Sequence, residues 1–236
     1  MTPIRDTVRD RTPRRGHDYP MKREQARSRI EEIGIFPGVR VKSADQAIYA
    51  AETLYHAGIP VAEITMTVPG AIGAIRKLAQ NFPDIVVGAG TVLDRETAER
   101  CVEAGARFLT STGFVPEVVE AALEAGVVAI PGALTPTEVI AAWKAGADFV
   151  KIFPAEPVGG ALYIRSLKLP LPQAKLIAAG GVNQQTATGY ILAGATAIGV
   201  GVELLPRDAI AKHQDHRIQE LARRFLNFVK DGRTPV

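Results

Sequence analysis

The sequence predicts an α/β chain in which eight parallel strands close into a ring wrapped by helices, a TIM (β/α)8 barrel. Three observations predict it. Ala-Gly pairs recur at 57–58, 104–105, 125–126, 145–146 and 193–194, each ending an amphipathic stretch just ahead of an apolar run. A glycine there suits the left-handed position that ends a helix before the chain enters a strand. Eight short apolar runs begin at intervals of roughly 19–27 residues with helical patterns between them, the spacing of strand–helix units in a parallel barrel. Finally, no G-x-G-x-x-G follows any early run, although a doubly wound open sheet, the runner-up, would carry one.

The elements follow in order. Residues 1–20 read as a basic, Pro- and Arg-containing arm, expected to be disordered, and residues 21–236 as the barrel domain, opened by an N-terminal helix. Strands are predicted at 34–41, 61–67, 85–92, 108–113, 127–134, 148–155, 175–182 and 197–204, and a last helix from about 208 to 230. A chain of 236 residues, 47% hydrophobic, is long enough to bury the large core this requires.

Charge and cysteine usage narrow the function classes. The net charge of +3 comes from the arm: residues 1–29 hold nine Lys and Arg against four Asp and Glu, and the remainder 19 against 21. The barrel body is thus mildly acidic, which argues against a nucleic-acid partner. No apolar run reaches membrane-spanning length and no secretory h-region opens the chain, so a cytoplasmic enzyme is expected. The single cysteine, Cys101, lies in a helix-like stretch and reads as an inert packing residue. His213 and His216, three residues apart, lack the carboxylates or cysteines that would complete a zinc site.

The chemistry is written in the predicted strand ends. Lys151 sits at the centre of Asp148-Phe149-Val150-Lys151-Ile152-Phe153-Pro154, a short run that reads as a buried strand. A lysine is almost never fully buried unless it is paired or has a task. An amine taken out of water loses solvation that favours its charged form, and the neutral form attacks ketones. Glu63, Thr65 and Thr67 alternate with apolar neighbours and so share one strand face. The outward face of a barrel must be apolar to meet its helices, which turns Glu63 inward. Arg40 ends the first strand, and glycines crowd the mouths of the seventh and eighth, where backbone N–H groups can meet an anion. Read from the residues alone, an ion pair that merely fills the barrel stays open as an alternative, although such pairs are poor sources of stability.

The segments Ala62-Glu63-Ile64-Thr65-Met66-Thr67-Val68-Pro69, Val87-Gly88-Ala89-Gly90-Thr91-Val92, Ile130-Pro131-Gly132-Ala133-Leu134-Thr135-Pro136-Thr137-Glu138, Val150-Lys151-Ile152-Phe153-Pro154-Ala155-Glu156 and Gly180-Gly181-Val182 occur in that order. Together they resemble the 2-keto-3-deoxy-6-phosphogluconate (KDPG) / 4-hydroxy-2-oxoglutarate (KHG) aldolases, over about residues 33 to 229. The resemblance implies a class I aldolase on a TIM barrel, commonly a homotrimer, cleaving a 2-oxo acid to pyruvate and an aldehyde. It implies Lys151 as the imine-forming lysine and Glu63 as the general acid/base. Arg40 and Thr91 would hold the pyruvyl carboxylate, Phe153 would line the pocket, and Gly180, Gly181 and Gly201 would receive the distal phosphate or carboxylate. No metal or other cofactor is expected.

Departures from the family pattern fall on the substrate-holding hydroxyls. Ala179 stands where a threonine is usual, Val202, followed by Glu203, where a serine is usual, and Ser111-Thr112 where Ser-Pro is usual. These leave open whether the substrate is phosphorylated. They also keep two alternatives in view, a phosphosugar barrel enzyme of another class and a barrel that binds a ligand without turning it over.

Overall fold

The computed structural model describes residues 21–234. In order these form α1 (Arg23–Ile33), β1 (Ile35–Val39), α2 (Ala44–His56), β2 (Val61–Thr65), α3 (Ala71–Asn81), β3 (Val86–Gly90), α4 (Arg95–Glu103), β4 (Phe108–Thr110), α5 (Pro116–Glu124), β5 (Val128–Ile130) and β6 (Gly132–Ala133). There follow α6 (Pro136–Lys144), β7 (Val150–Ile152), a 3-10 turn (Glu156–Val158), α7 (Gly160–Lys168), β8 (Leu176–Ala179), α8 (Ala187–Leu192), β9 (Ala197–Val200), α9 (Arg207–Ala211) and α10 (Asp215–Arg233).

Every strand pair is parallel, in the order β5-β4-β3-β2-β1-β9-β8-β7-β6. The two ends of that order are neighbours in the chain. Pro131 interrupts the run predicted at 127–134 because its nitrogen has no hydrogen for a ladder. The half before it pairs with β4 and the half after it with β7. Across the seam, Ala129 O accepts from Asp148 N at 3.0 Å and Pro131 O from Lys151 N at 2.9 Å. Asp148 Oδ2 in turn accepts from Ala129 N at 2.9 Å. The nine strand segments therefore close as an eight-position barrel, and the open doubly wound sheet is set aside.

Alternation along the strands divides the core in two. Ala62, Ile64, Val87, Ala89, Val150 and Ile152 point outward and pack under the helices. Phe36, Val61, Val86, Phe108, Phe149 and Ile177 point inward and fill the N-terminal half of the barrel. Fully burying one such side chain stabilises the fold by roughly 1.5–3 kcal/mol. Ala26 and Ile30 of α1 join the inward cluster, and Arg23 pairs with the buried Asp148 carboxylate at 3.0 Å. The N-terminal helix thus plugs the bottom, leaving the C-terminal mouth as the way in.

Local chemistry sets the helix boundaries. Ser43 and Asp94 cap α2 and α4 through Gln46 N and Thr97 N, and Thr135 with Glu138 forms a capping box on α6. In all five Ala-Gly pairs the glycine has positive φ, between 65° and 103°, as the spacing predicted.

Two further expectations change. The predicted strands overrun the observed ones at the mouth, since their last residues leave the ladder to form the loops that line the site. The final helix is two helices, α9 and α10, because the chain turns through His213 at φ 50° while the apolar periodicity continues across the break. The predicted arm, residues 1–20, lies outside the described residues.

Candidate active site

Inward positions of β1, β2 and β3 meet in register, with Gly38 beside Glu63 and Glu63 beside Gly88. On the opposite wall Lys151 is flanked by Gly132 and Ile177. The glycines make room for their neighbours. A Cβ at Gly90 would fall 2.2 Å from Glu63 Oε1, and one at Gly88 2.4 Å from the Phe108 ring. Small residues thus surround the two long polar ones, which cross the barrel interior and meet.

Lys151 and Glu63 are 5% and 3% exposed, and Lys151 Nζ lies 3.1 Å from Glu63 Oε1. The buried Thr110 hydroxyl donates to the same oxygen. Glu63 Oε2 receives no hydrogen bond among the described residues and lies toward Gly38, on the cavity side. One carboxylate oxygen is therefore anchored and the other is available. Among the described residues Lys151 Nζ donates only to Glu63, and the Phe153 ring lies 5.8 Å from it. Removing two charges from water costs several kcal/mol per ion, and their attraction offsets this only in part. The pair is poorly explained as a source of stability, and buried titratable pairs of this kind concentrate at functional sites.

Above the pair opens a cavity of about 310 Å³. Arg40, Glu63, Lys151, Phe153, Gly180, Gly181 and Gly201 all line it. Arg40 stands exposed with no ion-pair partner among the described residues. Gly180 and Gly181 have φ of 85° and 93°, and a Cβ on either would strike the chain that follows Lys151: Pro154 Cα at 2.9 Å, Glu156 Cβ at 2.2 Å. Gly201 has no such constraint, its nearest would-be contact being Gly38 O at 3.7 Å. Among the described residues, the N–H groups of Gly180, Gly181, Val182, Gly201, Val202 and Glu203 donate to no protein acceptor. Such a run of free backbone donors attracts oxygen-rich groups.

Thr91 is the one predicted site residue that does not line this cavity. It follows β3 directly, half-buried, in left-handed backbone at φ 58°. A β-branched residue rarely adopts that conformation, and strain of this kind concentrates at functional sites.

Several site residues were not singled out from the sequence. Thr110 falls within the strand predicted at 108–113 with nothing to mark it, and its register with Ile130 aims it inward. Phe36 and Asn183 line the cavity without any motif of their own to mark them. Tyr190, fully buried on α8, donates to Glu156 Oε2 at 2.7 Å. Burial, then the Glu156 carboxylate, pushes its phenol far above the ordinary range. Glu156 in turn packs on Gly181, so this contact braces the loop after Lys151 against the glycine loop. Only the inward alternation along each strand could have pointed to the first of these.

Among the described residues no group of three or more His, Cys, Asp or Glu is set to hold a metal ion. Comparison with known proteins places the chain in a family. The family model described as KDPG and KHG aldolase matches residues 26–221. The KHG/KDPG aldolase of Escherichia coli (strain K12) is 33% identical over 197 residues, covering 83% of this chain and 92% of that protein. A 2-dehydro-3-deoxy-phosphogluconate aldolase of Treponema pallidum is 32% identical, covering 85% and 95%. A crystal structure of KDPG aldolase from Legionella pneumophila, with pyruvate captured as a covalent carbinolamine intermediate, superposes with a TM-score of 0.78 at 32% identity, covering 84% of this chain and 96% of that one. A (β/α)8 barrel that joins an inward lysine to an inward glutamate, matched over most of its length by these proteins, belongs to the KDPG and KHG aldolase family.

Proposed function

We propose that this chain cleaves a 2-keto-3-deoxy sugar acid, phosphorylated or not, or 4-hydroxy-2-oxoglutarate, to pyruvate and an aldehyde through an imine on Lys151. The observation that carries the reading is the buried contact of Lys151 Nζ with Glu63 Oε1 at 3.1 Å on the floor of the cavity.

The neutral Lys151 amine adds to the C2 ketone, and loss of water leaves a protonated imine. Glu63 takes the C4 hydroxyl proton. The C3–C4 bond then breaks, its electron pair moving into an enamine, and the aldehyde departs. Glu63 returns the proton to C3, partly by way of a water, and hydrolysis of the imine releases pyruvate and restores the amine. The protonated imine is the electron sink for this sequence, so the chemistry requires no metal. Arg40 is the cation available for the substrate carboxylate, and Thr91 assists from the strained end of β3. Phe153 walls the reacting carbons, and the Gly180, Gly181 and Gly201 backbone receives the distal end of the substrate.

Two further parts belong to this reading. A homotrimer gives the exposed Leu162 of α7, Leu169 just after it and Leu192 of α8 a surface to cover, and it predicts a solution mass three times that of the 25.2 kDa chain. A cytoplasmic enzyme fits a chain in which no described helix is long and apolar enough to cross a membrane.

The test is covalent trapping. Pyruvate with borohydride should modify one lysine irreversibly, located at Lys151 by peptide mass. Lys151→Arg keeps the charge but cannot form an imine near neutral pH, so it should be folded and inactive. Labelling at a different lysine, or none, removes the Schiff-base assignment.

A further inference from the structure

We infer that the distal half of this site is built for an uncharged, hydroxylated chain, so that the preferred substrate is an unphosphorylated 2-keto-3-deoxy sugar acid rather than its phosphate ester. The inference rests on the aldolase reading above and concerns the end of the substrate that becomes the aldehyde.

Free N–H groups at the mouths of β8 and β9 attract hydroxyl, carboxylate and phosphate oxygens alike, so they do not choose between them. Neighbouring side chains do. Among the described residues, Arg40 and Lys151 are the only cations lining the cavity. Lys151 is committed to the reacting C2 carbon, and Arg40 is needed at the carboxylate end of the substrate. Against them stand two lining carboxylates, Glu63 on the floor and Glu203 at the mouth. Glu203 is exposed, and among the described residues it has no hydrogen-bond or ion-pair partner.

A carboxylate accepts hydrogen bonds from sugar hydroxyls. A phosphate dianion has no hydrogen to donate and is repelled by it. An unpaired like charge beside a binding position is a standard means of rejecting the wrong ligand. The surfaces next to Glu203 point the same way. Val202, 55% exposed, and Ala179, buried opposite Gly199, offer methyl groups where a phosphate would need donors. Asn183 adds a polar side chain that suits hydroxyls.

The experiment compares kcat/KM for 2-keto-3-deoxygluconate and its 6-phosphate ester in the full chain and in Glu203→Gln and Val202→Ser. The unaltered chain should favour the unphosphorylated acid. Glu203→Gln should move the ratio toward the ester by about tenfold, and Val202→Ser should move it the same way by supplying a donor. An unaltered chain that favours the ester, or a ratio that Glu203→Gln moves by less than about threefold, overturns the inference. Pyruvate trapping at Lys151 uses nothing at the distal end. Trapping together with ester preference therefore defeats this inference alone, whereas absence of trapping defeats the aldolase reading and this inference with it.

Discussion

Gly90 and Glu63 are fitted to each other: a Cβ on Gly90 would lie 2.2 Å from Glu63 Oε1 and 2.6 Å from its Cδ. In the proposed mechanism Glu63 reaches both Lys151 and the substrate, and the absence of a methyl group on the adjacent strand sets where its carboxylate sits. Gly90 is not in left-handed backbone, and alanine is therefore tolerated there by the chain itself.

Gly90→Ala should fold and push the Glu63 carboxylate aside. A displacement of about 1 Å in a reacting group can cost about 10²-fold, and turnover should fall on that order. Imine trapping with pyruvate should persist, because Lys151 lies on the opposite wall. Turnover within a few-fold of the unaltered chain would mean that the carboxylate position is uncritical.

Glu63→Gln preserves shape and the contacts to Thr110 and Lys151 while removing the proton acceptor. Borohydride trapping should survive, and steady-state cleavage should fall by roughly 10²–10⁴, the usual worth of a positioned general base. A loss of only a few-fold would move the base elsewhere and leave Glu63 an orienting role.

Cys101 is fully buried on α4, with its Sγ 3.6 Å from Met66 Sδ. Burial is the main cause that pushes its thiol up to about 11. The folded protein should therefore resist iodoacetamide at pH 8 and react only on unfolding, as mass spectrometry would record. Since the folded value is raised above the ordinary 9.0, the thiol's contribution to stability is present below about pH 9 and fades as pH climbs through 11. Rapid native alkylation at pH 8 would show that the site opens.

Most of the site was legible because barrel geometry turns sequence alternation into direction. Once 61–67 and 148–155 are read as strands, Glu63 and Lys151 must face inward, since the other face has to be apolar to meet helices. Thr91 was legible as a motif residue but not in its geometry. A left-handed φ on a β-branched residue follows from neighbouring strands, and residue type alone would argue against it. Thr110 escaped because threonines are common at strand ends and its bond to Glu63 spans 47 residues.

By itself the sequence determined the strand–helix rhythm, the inward faces and the presence of a buried lysine with a buried carboxylate. These depend on local periodicity and on the cost of burying charge, both of which act within a few residues. Tertiary structure alone decided that Pro131 splits a strand without opening the ring, that Gly90 seats Glu63, and that Glu203 shares a mouth with Val202 and Asn183. Each of those depends on which strands become neighbours and how closely their backbones approach, and that is set only when the barrel closes.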